Sequence, residues 1–275
     1  MYTFSFYLFW SGSAFFLSLI FGVTNSNFDT FGPYLLVLIF IIISWAISLY
    51  IQLLIMWIWA RIRRNTDSLN MLNHRYANSL MRLTQHLLRL NVIVTGKENI
   101  PEGKFVFVAN HQENFDITAL KPIFKNHPID FIAKEALWRV PFLGKWLTIL
   151  GNVPIGEDAN RSAAVSIITG IKRYNYGHPM GIFPEGKRSF SNEMIDFKPG
   201  AFKLAMKPKA DILIGTLYNL DKIWKTFPYK KHNAYIHFLP VLKYEEYKGL
   251  NSIELAQKVK DIIQEQLDTF QKEIG

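Results

Sequence analysis

The residues best suited to chemistry lie in the segment NHQENFD, residues 110 to 116, which follows the apolar run KFVFV. His111 and Asp116 have an H-x4-D spacing, which on one continuous helix would place their side chains roughly 140° apart. If the chain turns between them, the carboxylate accepts the Nδ1 proton and leaves Nε2 as a base for a substrate hydroxyl. The alternative is an ordinary strand-to-helix loop, with Asn114 and Asp116 as turn former and helix cap.

A second polar segment, GIFPEGKRSFSNEMIDFKPG, spans residues 181 to 200. Its pattern predicts a strand that ends at FPEG and a glycine turn whose backbone amides face outward, followed by Lys187, Arg188 and Ser189. Backbone amides and cationic side chains together are typical of a phosphate-binding turn. The alternative is a polar turn between a strand and a helix, with charges that only face water.

These two segments occur in this order and about seventy residues apart, and the pair resembles the glycerolipid acyltransferase family, whose bacterial type is 1-acyl-sn-glycerol-3-phosphate acyltransferase. The resemblance covers about residues 100 to 220. It extends to three further stretches, IAKEALWRVPFLGKWL, GNVPIGEDANRSA and FKPGAFKLA.

The resemblance implies that His111 is the general base and that Asp116 orients it. The acceptor hydroxyl would attack an acyl thioester directly, without an acyl-enzyme, which agrees with a chain that contains no cysteine. The resemblance also implies a set of residues around the acceptor's phosphate: Lys134, Glu185, Gly186, Lys187, Arg188 and Arg161. No metal or bound cofactor is expected, and the acyl donor is acyl-CoA or acyl carrier protein.

The chain departs from the family pattern at two places. Lys187 stands where the family commonly has threonine, which adds a positive charge beside the phosphate site and beside Glu185. Gly156 and Glu157 stand where an Asp-Arg pair is usual, so that an arginine contact is missing unless Arg161 reaches back from the following helix. These departures concern the choice of headgroup rather than the reaction.

Two long apolar stretches precede these motifs. Residues 33 to 60 contain no charged side chain over more than the roughly 20 residues that a bilayer core requires, and residues 4 to 23 are also uncharged. The polar stretch 24 to 32 between them predicts a helical hairpin in the membrane, with a cleaved signal peptide or a re-entrant hairpin as alternatives. The basic run 61 to 64 predicts that the rest of the chain lies on the cytoplasmic side.

The sequence thus predicts a membrane anchor over residues 1 to 64 and a cytoplasmic α/β domain over residues 65 to 275. An amphipathic helix is expected at 65 to 90 and a final helix at 253 to 272. Between them, short β-rich runs alternate with helical ones, which predicts a mixed, largely parallel sheet flanked by helices. The expected strands are 104–110, 130–136, 151–156, 180–186, 211–219 and 233–243, and the expected intervening helices are 117–125, 139–149, 160–176 and 198–208.

The net charge of +9 suits either nucleic acid or an anionic lipid surface. Because no nucleic-acid-binding motif is present and two apolar segments are, the predicted partner is the bilayer and its lipids. The family resemblance implies that the function is acyl transfer to the sn-2 hydroxyl of lysophosphatidic acid, which forms phosphatidic acid. The alternatives are another acceptor (glycerol 3-phosphate, another lysophospholipid or a lyso-glycolipid) and an inactive lipid-binding relative.

Overall fold

The computed structural model describes residues 2–20, 31–156 and 161–274. The chain divides into two compact units, Met1–Asn65 and Thr66–Gly275.

The first unit contains two apolar helices, α1 (Tyr2–Ile20) and α2 (Phe31–Ile62). They run antiparallel, since Ser48 Oγ donates to the Phe6 carbonyl at 2.7 Å while Trp10 Nε1 donates to the Ile41 carbonyl at 3.1 Å. Of the helices described, α2 is long and apolar enough to cross a membrane, and the apolar part of α1 is shorter. Most of the expected loop at 24 to 32 lies outside the described residues.

The second unit is built on a seven-stranded sheet of order β1-β7-β6-β2-β5-β3-β4. Five neighbouring strands, β6, β2, β5, β3 and β4, are parallel to one another, whereas β7 is antiparallel to β6 and β1 is parallel to β7. The sheet is therefore mixed and largely parallel, which confirms the predicted fold class. The strands are β1 (Leu90–Thr95), β2 (Val106–Ala109), β3 (Asp130–Lys134), β4 (Val153–Ile155), β5 (Met180–Ile182), β6 (Ile212–Tyr218) and β7 (His232–Phe238).

Apolar side chains cover both faces of this sheet. Val106 and Val108 of β2 point to one face, where they belong to the same core as the apolar stripe of the last helix. Phe105 and Phe107, one position out of phase, belong to the core on the opposite face. The helices of this unit are α3 (Met71–Leu87), α4 (Asp116–Leu120), α5 (Leu143–Leu150), α6 (Arg161–Tyr176), α7 (Lys203–Met206), α8 (Ile223–Thr226) and α9 (Ser252–Ile274).

Several element predictions need correction. The helix expected at 65 to 90 is shorter, because Asn70 caps it by accepting the Leu72 N–H at 3.0 Å and Arg89 ends the region with a φ of 55°. The chain then enters β1, a strand that the pattern did not predict. The strands expected at 104–110 and 180–186 also end early, at Ala109 and Ile182, and the loops that follow them carry the candidate site.

Candidate active site

The site lies where the parallel strands β2 and β5 reach the carboxyl edge of the sheet, the edge at which such folds gather functional groups. Asn110 is the first residue after β2. Its side chain donates to the Leu217 carbonyl at 2.9 Å and accepts the Leu217 N–H at 2.8 Å. The amide thus extends the pairing of β2 with β6 by one residue and fixes the start of the loop that carries His111.

His111 and Asp116 are brought together by a turn of the chain. His111 Nδ1 lies 2.7 Å from Asp116 Oδ2. Asp116 is the first residue of α4 and is fully buried, and it also accepts the N–H groups of Gln112 at 2.7 Å and Glu113 at 3.1 Å. The histidine side chain is 20% exposed. A buried carboxylate therefore orients a histidine that remains open to solvent.

Hydrogen bonding also sets the tautomer of His111. Because Asp116 faces Nδ1, the neutral ring carries its proton there and presents Nε2 as an acceptor. Nε2 has no hydrogen-bond partner among the residues described. Burial raises the pKa of Asp116, while its bond with His111 and the two backbone amides oppose that rise. The ionised carboxylate therefore depends on these three donors.

Aromatic rings fix the plane of the histidine. The imidazole stacks on Phe183 with ring centres 4.3 Å apart and an interplanar angle of 13°, and Phe183 stacks on Phe131 at 5.9 Å and 15°. These rings restrict rotation of His111 about its side-chain bonds. They also form an apolar wall beside the base.

Glu185 joins the two site loops. Its Oε1 accepts the His111 N–H at 2.7 Å and its Oε2 accepts the Ile195 N–H at 3.0 Å. The residue is 1% exposed, and burial raises its pKa. Ser189 donates its N–H to the His111 carbonyl at 2.8 Å and completes the link. Gly186 turns the second loop with a φ of 69°, and a Cβ there would lie 2.8 Å from Lys198 Nζ.

Gln112 is a structural residue that the sequence reasoning missed. It is fully buried, accepts the Leu220 N–H at 2.9 Å and donates to Asn192 Oδ1 at 2.7 Å. The Gln112 side chain therefore holds the loop after β6 and the loop after β5 against the histidine loop. A polar side chain inside a motif gives no sequence signal for such a role, because its partners lie 80 and 108 positions away.

The backbone N–H groups of the histidine loop, which could serve as donors to an oxyanion, are already bonded within the protein. The His111 N–H binds Glu185, those of Gln112 and Glu113 bind Asp116, and that of Asn114 binds the Glu113 side chain at 3.0 Å. Carboxylates of the protein occupy all four donors, so the loop serves to position His111.

Of the predicted phosphate-binding cations, Arg188 forms an ion pair with the histidine loop. Its Nη1 lies 3.3 Å from Glu113 Oε1, and its guanidinium lies 4.5 Å above the Phe190 ring. About a third of the Arg188 side chain, 32%, is exposed. Lys187 is exposed and forms no ion pair with Glu185, whose two oxygens accept backbone amides. The turn thus presents two cations to solvent.

The other predicted cations lie on separate elements. Lys134 ends β3 and Arg161 begins α6, and both are exposed without an ionic partner among the residues described. Gly156 donates its N–H to Ser162 Oγ at 2.6 Å, but Glu157 lies outside the described residues. No group of three or more potential metal ligands is present in the described part of the chain.

Comparison with known proteins identifies relatives of this chain by sequence and by fold. A family model described as Acyltransferase matches residues 91–218. The 1-acyl-sn-glycerol-3-phosphate acyltransferase of Borreliella burgdorferi is 32% identical over 200 residues, which are 69% of this chain and 77% of that protein. The enzyme of that name from Saccharomyces cerevisiae is 29% identical over 192 residues, 69% of this chain and 62% of that protein.

A solved structure shows the same fold. The 1-acyl-sn-glycerophosphate acyltransferase PlsC from Thermotoga maritima superposes with a TM-score of 0.62 at 21% identity, covering 79% of this chain and 89% of that one. This likeness concerns the fold. The sequence relatives assign the chain, which belongs to the 1-acyl-sn-glycerol-3-phosphate acyltransferase family of acyltransferases.

Proposed function

We propose that this chain transfers a fatty acyl group from an acyl thioester to the sn-2 hydroxyl of lysophosphatidic acid and forms phosphatidic acid. The observation that carries the proposal is the 2.7 Å contact between His111 Nδ1 and the buried Asp116 carboxylate, which leaves Nε2 without a partner in the described structure. The sequence relatives are named 1-acyl-sn-glycerol-3-phosphate acyltransferases, which supports the choice of lysophosphatidic acid as the acceptor.

In the proposed reaction, His111 Nε2 takes the proton of the acceptor hydroxyl while the hydroxyl oxygen attacks the thioester carbonyl. A bond forms between this oxygen and the acyl carbon, and the carbon–sulfur bond then breaks. The proton on Nε2 passes to the departing thiolate, which leaves as CoA or as the thiol of acyl carrier protein. A positioned base of this kind contributes roughly 10²- to 10⁴-fold. No bond to the protein forms at any step.

The acceptor's phosphate requires cations near the base. Arg188 is tied to the histidine loop through Glu113, and Lys187 precedes it on the same turn. We propose that Arg188 binds the phosphate and that Lys187 adds to the positive potential. Lys134 and Arg161 complete the proposed set from their own elements.

The proposed cellular setting is the membrane surface. The long apolar helix α2 supports attachment to a bilayer, and the basic run after it supports a cytoplasmic position for the catalytic unit. We propose residues 1–64 as the anchor and residues 65–275 as the catalytic domain. The lysolipid would then keep its acyl chain in the bilayer while its hydroxyl reaches His111.

The test uses the full chain in lipid nanodiscs. Acyl transfer to lysophosphatidic acid is compared for acyl-CoA and acyl carrier protein, beside glycerol 3-phosphate, other lysophospholipids and a lyso-glycolipid. Phosphatidic acid formation that His111→Ala abolishes, and that His86→Ala at an exposed position retains, supports the proposal. Activity with a different acceptor overturns the headgroup assignment, and folded protein without transfer to any acceptor overturns the reaction.

A further inference from the structure

The connection between β6 and β7 carries aromatic and basic side chains that the proposed reaction does not use. Residues 222 to 231 read KIWKTFPYKK. Trp224 is 55% exposed and Tyr229 is 85% exposed, whereas Ile223 between Lys222 and Trp224 is fully buried and anchors the segment. Four exposed lysines accompany these rings: Lys222, Lys225, Lys230 and Lys231.

The segment is firmly joined to the histidine loop. Phe115 directly precedes Asp116, and its ring packs edge-on against Trp224 with ring centres 5.3 Å apart. Trp224 in turn packs against Phe227, with ring centres 5.9 Å apart. Just before the segment, the Leu220 N–H is bound by the Gln112 side chain. Residues 222 to 231 therefore keep a fixed position relative to the candidate base, at the same edge of the sheet.

Aromatic rings that expose a polar tip, beside several lysines, suit the interface of a bilayer with anionic headgroups. Trp and Tyr are enriched at the level of the headgroups, and lysines near an anionic surface are attracted to it. None of the four lysines forms an ion pair with a carboxylate in the described part of the chain, so their charges are available. Asp221 is the only carboxylate within this connection, residues 219 to 231.

We infer that residues 222 to 231 form a lipid-docking segment that binds the surface of an anionic bilayer directly, in addition to any attachment through α1 and α2. Trp224 and Tyr229 would enter the headgroup layer, and the lysines would contact lipid phosphates. Because Phe115 and Gln112 link the segment to the histidine loop, this contact sets the height of His111 above the membrane. The inference goes beyond the proposed reaction, since docking needs no acyl donor.

The absence of cysteine makes a direct test simple, because one introduced cysteine can carry a fluorophore. The full chain with Tyr229→Cys is labelled with an environment-sensitive dye in nanodiscs of phosphatidylcholine, with or without phosphatidylglycerol. Quenching is measured with quenchers attached to the lipid. The matched position is Lys207→Cys, which is exposed and precedes β6 at the opposite edge of the sheet.

We expect lipid quenching at position 229, more with phosphatidylglycerol than without it, and little at position 207. The triple variant Lys225→Glu, Lys230→Glu and Lys231→Glu should remove the extra quenching, since each lysine near an anionic surface contributes about fivefold in binding. The matched triple variant should leave the extra quenching unchanged. It carries Lys203→Glu, Lys207→Glu and Lys209→Glu, at positions that are also exposed. Equal quenching at both positions, or a label at 229 that stays in water, would overturn the inference.

A kinetic comparison separates this inference from the proposed function. In nanodiscs with phosphatidylglycerol, the first triple variant should raise KM for the lipid acceptor at least about tenfold and leave kcat near that of the parent chain. The matched triple should change neither. If position 229 contacts lipid but no acceptor is acylated, the result supports the lipid-docking segment and refutes the proposed acyl transfer. If acceptors are acylated but position 229 stays in water, the result supports the proposed acyl transfer and refutes the lipid-docking segment.

Discussion

Glu185 Oε1 accepts the backbone N–H of His111 at 2.7 Å, although the two residues are 74 positions apart in the chain. This contact couples the loop after β5 to the loop after β2. The carboxylate is buried and its second oxygen accepts the Ile195 N–H. Glu185 therefore determines where the backbone of the candidate base sits.

Replacement of Glu185 by glutamine should loosen this link. The amide offers one oxygen and one NH2 group to two backbone donors, so one buried N–H loses its acceptor. We expect a loss of about 1–3 kcal/mol in the free energy of unfolding and a lower kcat, measured by denaturant titration and initial rates. Glu193→Gln, at an exposed position on the same loop, is the control. Unchanged kcat in Glu185→Gln would refute the positioning role.

Asp116→Asn tests the orientation of the histidine. The asparagine has nearly the same shape, but its NH2 group can face Nδ1 and favour the tautomer that carries the proton on Nε2. A base that already holds its proton is unable to accept another, so kcat should fall by about 10²- to 10⁴-fold. The expected change in KM is much smaller. Steady-state kinetics in nanodiscs checks both values, and an equal loss in kcat and in the folded fraction would indicate a purely structural role.

Arg188→Ala should weaken binding of the acceptor more than it slows the reaction. The guanidinium is partly exposed and lies beside the histidine loop, while the proposed bonds to phosphate exist before and during acyl transfer. An interaction that is equally strong in the ground state and in the transition state affects KM and not kcat. We therefore expect KM to rise about tenfold or more. Lys187→Thr should give a smaller rise. An acceptor without phosphate should show no difference between Arg188→Ala and the parent chain.

The alternation of strands and helices was enough to predict the α/β class. Each short apolar run forms a strand whose faces must be covered by helices, and the helical runs between the strands supply them. The meeting of His111 and Asp116 was expected only if the chain turned between them, and the resemblance to the acyltransferase family implied that arrangement. Neither rule predicts β1, in which only Leu90 is buried and whose partner β7 begins at His232, far along the chain. Pairing between such distant segments leaves no local pattern.

Buried polar contacts were equally hidden in the sequence. Glu185 lies next to a glycine and two basic residues, a composition typical of a solvated turn, and only the topology of the sheet brings it beneath His111. The same holds for His178 and Asp130, whose Nδ1 and Oδ2 atoms lie 2.6 Å apart at the amino edge of the sheet. Both side chains are fully buried, and 48 positions separate them.

Gly151→Ala should disturb this buried pair. Gly151 has a φ of 101°, and a Cβ there would lie 2.8 Å from Asp130 Oδ2 and 3.0 Å from His178 Cε1. Backbone strain and displacement of a buried carboxylate together should lower the free energy of unfolding by about 2 kcal/mol or more. Gly103→Ala is the matched control, because its Cβ would meet nothing within 4 Å. Thermal unfolding of the full chain in detergent distinguishes the two variants.

His74 should make the fold sensitive to acid. Its Nε2 lies 2.8 Å from the Ser68 carbonyl, and burial, together with the nearby Lys121, lowers its pKa to about 3. The unfolded chain binds a proton near pH 6.5, whereas the folded chain does not until about pH 3. The free energy of unfolding should therefore fall by about 1.4 kcal/mol per pH unit as pH decreases through this window. His74→Gln, which retains a donor for Ser68, should flatten that slope in denaturant titrations at several pH values. His86→Gln, at an exposed position of the same helix, should not; equal slopes in all three proteins would refute the assignment.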